Sequence, residues 1–231
     1  MKEEFNINQK FEFLGDLTKM VVNEITPSII VSGSGGLGKT HSVLQCVEEC
    51  GLQPVEWVHF KGYSTARGLY NTLYDNNGKL IIFDDCDSIL EDRVSLNILK
   101  SALDSYENRK ISWMAKMNKN DDYPHQFEFT GRVIFISNKA KESIDGAVIS
   151  RSIVVDLSMT IEEKIERMEY ILPKILPSYD IEVKQDALNF LDSIKEGKGE
   201  DLNLRTLIMV AKMRKAFPDK WVNLASYMIN S

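Results

Sequence analysis

The run Ile29-Ile30-Val31-Ser32-Gly33-Ser34-Gly35-Gly36-Leu37-Gly38-Lys39-Thr40 holds the strongest chemical signal in the chain. Gly33, Gly38, Lys39 and Thr40 fit the phosphate-loop spacing G-x-x-x-x-G-K-[ST] without a mismatch. A loop that wraps a row of phosphate oxygens needs residues that accept positive φ and carry no Cβ to block the approach, which glycine supplies. Backbone N–H groups of Gly33, Ser34, Gly35, Gly36, Leu37 and Gly38 then make an anion-binding concavity, closed by the positive end of a helix that opens with Lys39, Thr40 and His41. Lys39 is expected to reach the outer phosphates, and the Thr40 hydroxyl to hold Mg²⁺.

A second run, Lys79-Leu80-Ile81-Ile82-Phe83-Asp84-Asp85-Cys86-Asp87, is apolar and then acidic. That is the pattern of a central parallel strand with acids at its C-terminal edge, where open α/β sheets bind ligands. Asp84 is expected to hold Mg²⁺, directly or through water, and Asp85 to polarise the attacking water. Glutamate is more usual at the second place; aspartate is one methylene shorter, which predicts slow turnover. Asp87 is the alternative for that role. Arg132-Val133-Ile134-Phe135-Ile136-Ser137-Asn138 is another buried strand, whose terminal Asn138 is expected beside the acids, in reach of a terminal phosphate or the water.

The surrounding pattern supplies elements to position these residues. A helix is predicted over 6–26, ended by Pro27, and a short buried strand over 27–31 precedes the loop. A helix follows from 41 to Gly51. Val55 to Phe60 alternates as a strand, and 65–74 and 94–106 are helical. The basic, aromatic segment 109–119 and Phe127-Glu128-Phe129 are read as a hairpin or long excursion. Residues 147–152 form a short helix or turn, and 153–157 a fifth strand. After Ser158 only helices are predicted, opening with the capping box Thr160–Glu163. The expected architecture is an α/β core with a five-stranded parallel sheet over residues 1–158, then a small all-helical lid over 159–231.

At 231 residues the chain is long enough for one sizeable core plus a lid. Net charge is −6, which argues against a large static nucleic-acid surface while allowing a narrow basic channel. Three cysteines without framework spacing, Cys46, Cys50 and Cys86, fit a reducing, cytoplasmic setting. No apolar run approaches membrane-span length, and the charged start of the chain is not followed by the apolar stretch of a signal peptide.

With these motifs in place, essentially the whole chain resembles the AAA+ ATPase family of P-loop proteins, in particular the compact types found in phages and mobile elements and among helicase loaders. Gly33 to Thr40 resembles Walker A, Asp84 and Asp85 resemble Walker B, and Asn138 resembles the sensor-1 residue. Arg151, in Ile-Ser-Arg-Ser, resembles an arginine finger offered to a neighbouring subunit. Arg205, opening a lid helix, resembles the sensor-2 arginine, and Tyr63 stands in the place of a pore-loop aromatic. The resemblance implies ATP and Mg²⁺ as cofactors and hydrolysis of ATP. It further implies an ATP-dependent, hexamer-like assembly of identical subunits. It also implies action on single-stranded DNA or a DNA-bound protein through Lys61, Tyr63 and 109–119. A protein remodeller, and an ATP-binding assembly module with little turnover, are the alternatives.

Overall fold

The computed structural model describes residues 5–104, 108–115, 122–198 and 202–230. Contacts divide the chain into two compact units: Phe11–Gly33 with Lys39–Ser158, and Met1–Lys10 with Ser34–Gly38 and Met159–Ser231. The second unit thus takes in the start of the chain and the tip of the phosphate loop as well as the helices after residue 158.

The first unit is built on a parallel sheet of five strands: β1 (Ser28–Ser32), β2 (Trp57–Lys61), β3 (Leu80–Asp84), β6 (Arg132–Ile136) and β7 (Ile153–Asp156). Their order is β2-β3-β6-β1-β7, and every pairing is parallel. All residues of β1 and β3 are buried. Helices cover both faces of such a sheet, so its middle strands read as unbroken Ile, Val and Leu runs rather than alternating ones. Ile81, Ile82 and Ile134 are fully buried, and each such side chain contributes about 1.5–3 kcal/mol of transfer free energy before entropy is counted. Phe83 stacks on Phe135 with centroids 5.3 Å apart. Register sets Asp84 opposite Lys61 on one side and Ile136 on the other. The C-terminal edge therefore gathers residues far apart in sequence.

The helices of this unit are α1 (Ile7–Val22, from Phe11 onward), α2 (Lys39–Glu49), α3 (Ala66–Asp75), α4 (Asp87–Glu91), α5 (Arg93–Ala102) and α6 (Gly146–Ile149). α1 stops short of the expected residue 26. Glu24 takes φ 63, and Ile25 N–H closes back on the Met20 carbonyl at 2.9 Å, a Schellman-type ending. β4 (Lys110–Ser112) and β5 (Gln126–Glu128) pair antiparallel where a hairpin or a long excursion was expected. It is clamped to α3 by edge-on contacts of Phe127 with Tyr70 and Tyr74 at 5.3 and 5.2 Å. The Tyr70 hydroxyl donates to the Pro124 carbonyl at 2.6 Å.

The second unit packs α7 (Ile161–Ile171), α8 (Ile181–Ser193), α10 (Leu204–Ala216) and α11 (Trp221–Asn230), with the short α9 (Lys195–Lys198) between α8 and α10. Its core contains Met168, Leu188, Leu191, Leu207, Val210 and Ala225. The capping box is present at α7, with Thr160 accepting from Glu163 N–H and Glu163 accepting from Thr160 N–H. α8 begins at Ile181, after the extended N-cap residue Asp180. No helix among the described residues is long and apolar enough to cross a membrane.

Candidate active site

The sharp turn after β1 requires glycine at its first position. Gly33 has φ 127, and a Cβ there would lie 2.6 Å from the Leu157 carbonyl carbon. Its N–H donates to the Lys139 carbonyl at 3.3 Å, tying the loop to the segment that follows β6. Gly36 and Gly38 also take positive φ, 78 and 97, which side-chain-bearing residues rarely adopt. Ser34 and Gly35 are exposed, Leu37 is buried, and His41, in the first turn of α2, is exposed.

Lys39 is buried. Its ammonium donates to the Gly33 carbonyl at 2.6 Å and to Asn138 Oδ1 at 3.0 Å. Asn138 then donates through Nδ2 to Asp85 Oδ1 at 2.5 Å. One carboxamide thus bridges the loop lysine and the second acid, with its acceptor and donor ends both used. Beside this chain, Thr40 Oγ1 donates to Asp84 Oδ1 at 3.0 Å. A hydroxyl and a carboxylate that converge in this way are a hard oxygen donor pair, the chemistry Mg²⁺ prefers. The residues present fit that ion.

Asp84 is 1% exposed and closes β3. Two further groups meet its Oδ2 oxygen: His59 Nε2 at 3.3 Å and Lys61 Nζ at 3.2 Å. Lys61 also lies 3.3 Å from Asp85 Oδ2. The hydrogen bond to Asp84, then that to Asp85, holds the Lys61 ammonium above its usual pKa. Lys61, expected as a contact for nucleic acid, is thereby engaged with both acids. His59 and Lys61 were not foreseen as partners of Asp84. The readable trace was a histidine and a lysine at i and i+2 on one strand face, but only the pairing of β2 with β3 gives them a target.

Asp85 follows the strand with φ 54, and its N–H donates to the Ile136 carbonyl at 3.1 Å. Aspartate tolerates this left-handed conformation better than most residues. Asp87, the alternative acid, opens α4 and accepts from Ser137 Oγ at 2.6 Å, which leaves Asp85 as the acid joined to Asn138.

Arg151 follows α6; its Nη1 donates to the Ala147 carbonyl at 2.8 Å, and its Nε is buried without a hydrogen-bond partner among the described residues. Tyr63 is 82% exposed in the loop after β2. Within 109–119, the described residues are largely occupied by the fold. Arg109 donates to the Ala102 and Gly131 carbonyls at 3.0 and 2.9 Å, and burial pushes its pKa down. Ile111 is fully buried, and Trp113 sits 5.8 Å from the Tyr70 ring. Met114 is exposed. Lys116, Met117, Asn118 and Lys119 lie outside the described residues. In the second unit, Arg205 is exposed in the first turn of α10.

No protein-family model matches the chain. An uncharacterized 36.7 kDa protein from the nrdC–mobD intergenic region of Enterobacteria phage T4 is 27% identical over 244 aligned positions, spanning 95% of this chain and 73% of that protein. Among solved structures, an arginine-to-alanine variant of Thermotoga maritima RuvB matches with a TM-score of 0.56 at 13% identity, over 96% of this chain and 68% of the other. NtrX from Brucella abortus, solved in complex with ATP, matches with a TM-score of 0.54 at 14% identity, over 92% and 52% of the two chains. At these identities the likeness is one of fold.

Proposed function

From the premise that this chain has the fold of the AAA+ ATPases, shared with RuvB and NtrX, we propose that it binds and hydrolyses ATP as an assembly of its own copies. The observation that carries this reading is the hydrogen-bonded run Lys39–Asn138–Asp85 set beside Thr40–Asp84. Hydrolysis of ATP needs a cation on the transferring phosphoryl group, a cation-binding acid and a carboxylate for the attacking water. Lys39, Asp84 and Asp85 are residues of those three kinds, and their shared hydrogen-bond network supports the reading.

In this mechanism the loop N–H groups cradle the phosphates, and Lys39 turns its ammonium from the Gly33 carbonyl toward the outer phosphate oxygens. Thr40 and Asp84 would hold Mg²⁺, which would supply charge neutralisation at the phosphates. Asp85 orients and deprotonates a water for in-line attack on the γ-phosphorus, giving ADP and phosphate. Asn138 fixes Asp85 through their direct hydrogen bond. Arg151 acts on the nucleotide of a neighbouring copy, and Arg205 is kept as the proposed sensor-2 arginine. Such preorganised charges act where charge accumulates in the transition state.

The target we propose is DNA or a DNA-bound protein. Exposed Tyr63 supports it, since aromatic side chains stack on bases without sequence preference. The test is phosphate release against protein concentration, with and without single-stranded DNA. A rate per subunit that climbs with concentration, and climbs further with DNA, is expected. A concentration-independent rate would overturn shared sites, and no response to DNA would move the target to a protein.

A second reading, an ATP-bound assembly module with little turnover, draws support from the two bonds held by Asp85, to Asn138 and Lys61. A carboxylate so engaged is less available to water. Tight ATP binding with no phosphate release in the concentrated protein would favour it.

A further inference from the structure

Leu37 occupies an unspecified place in the phosphate-loop pattern, yet it is 1% exposed and belongs to the apolar core of the helical unit. Its neighbour Gly36 is tied to the same unit through the backbone. Leu204 N–H, at the first position of α10, donates to the Gly36 carbonyl at 3.0 Å. In a trans peptide the carbonyl and the following N–H point in opposite directions. Drawing the Gly36 carbonyl to α10 therefore aims the Leu37 N–H the other way and fixes it there. A free loop would leave that peptide able to rotate.

Asn203 is the side chain at this junction. It is the N-cap of α10, with extended backbone (φ −154, ψ 177), and its Oδ1 accepts from Arg205 N–H at 2.8 Å and Thr206 N–H at 3.3 Å. The same carboxamide packs against Gly36 so closely that a Cβ on Gly36 would lie 2.9 Å from Asn203 Cγ. The cap thus fixes the first helical turn, which bears Arg205, and at the same time walls the loop tip. Glycine at 36 is required twice, by its φ of 78 and by this contact.

We propose that Asn203 is a positioning residue for the phosphate loop: through its cap on α10 and its contact with Gly36 it holds the loop tip in the curvature that receives phosphate. The proposal rests on the reading of this loop as a nucleotide site. It assigns to a residue of the helical unit a share in nucleotide affinity.

The test compares Asn203→Ala with Asn203→Ser, which keeps a capping oxygen, and with Thr160→Ala, which removes the cap of α7. Backbone amide exchange of residues 36–39 is read in nucleotide-free protein, and dissociation constants are read with a fluorescent ATP analogue. Loss of a cap is a general structural injury, so Asn203→Ala and Thr160→Ala should lower the melting temperature alike. Only Asn203→Ala should speed exchange in the loop and weaken nucleotide binding, by about tenfold, the size of one lost cap. Asn203→Ser should stay within about threefold of the unaltered protein. Steady-state kinetics should show KM rising more than kcat falls. A second pair of variants reads the contact itself. Gly36→Ala should weaken binding strongly, and adding Asn203→Gly should recover part of that loss, because the colliding carboxamide is gone. Loop exchange and affinity in Asn203→Ala no different from Thr160→Ala, or no recovery in the Gly36→Ala background, would overturn the proposal. If the unaltered protein bound no ATP while loop exchange still rose in Asn203→Ala, the nucleotide reading would fall and the positioning role would stand.

Discussion

At the scale of single residues, Asp85 is the most constrained member of the site. It must take φ 54, meet Asn138 and receive Lys61. Aspartate and asparagine are enriched in that backbone region because their short polar side chains bond locally. This gives a physical reason for aspartate where glutamate is more usual. Asp85→Asn keeps the conformation and removes the base, so phosphate release should fall by about 10²–10⁴ while ATP binding is retained. Asp85→Glu should lower the melting temperature, since a longer side chain pays more for positive φ. Loss of ATP binding in the asparagine variant would contradict the assigned role. Gly33, Lys39, Thr40 and Asp84 were legible in the sequence because the chemistry restricts each to one or two residue types at fixed spacing. His59 and Lys61 were not, since their bonds to Asp84 depend on which strand lies next to β3, and local pattern does not carry strand order.

At the scale of elements, the buried strands were legible from their unbroken apolar runs, and α7 from its capping box. Boundaries were less so. α1 ends at a non-glycine left-handed residue, Glu24, which sequence alone gives no reason to expect. α4 spans only Asp87–Glu91, too short to show a period. The cysteines show how elements are sealed together. Cys46 on α2 donates its thiol to the Gly15 carbonyl of α1 at 3.3 Å, and Cys86, between β3 and α4, is also buried. Burial, with Cys50 nearby in the first case, pushes the Cys46 and Cys86 thiols from 9.0 up to about 11. The folded state therefore holds these protons longer than the unfolded chain does. Their effect on stability is neutral below pH 9, turns unfavourable as the unfolded chain ionises, and reaches its limit near 11, at about 2–3 kcal/mol for each thiol. Thermal unfolding from pH 8 to 10.5 should therefore fall more steeply in the unaltered protein than in a Cys46→Ala, Cys86→Ala double variant. Equal slopes would show that the two thiols do not set the alkaline limit.

At the scale of the whole molecule, the question is what completes the site. Arg151 has one guanidinium nitrogen bonded to its own short helix and Nε buried without a partner among the described residues. An arginine supplied in trans is typically worth about 10³–10⁵ in rate. Arg151→Ala should abolish hydrolysis and keep ATP binding. Mixing it with Asp85→Asn, itself inactive, should restore measurable phosphate release, because some junctions then join an intact Asp85 to an intact Arg151. No recovery on mixing would confine both residues to a single chain's site. The buried Leu37 bears on how such proteins could exchange parts through recombination. A loop grafted in from another ATPase with a polar residue at that place would match the phosphate-binding signature letter for letter and still leave a hole among α7, α8, α10 and α11. Functional chimeras of this chain should therefore be those in which the loop and the helices after residue 158 are inherited from the same parent.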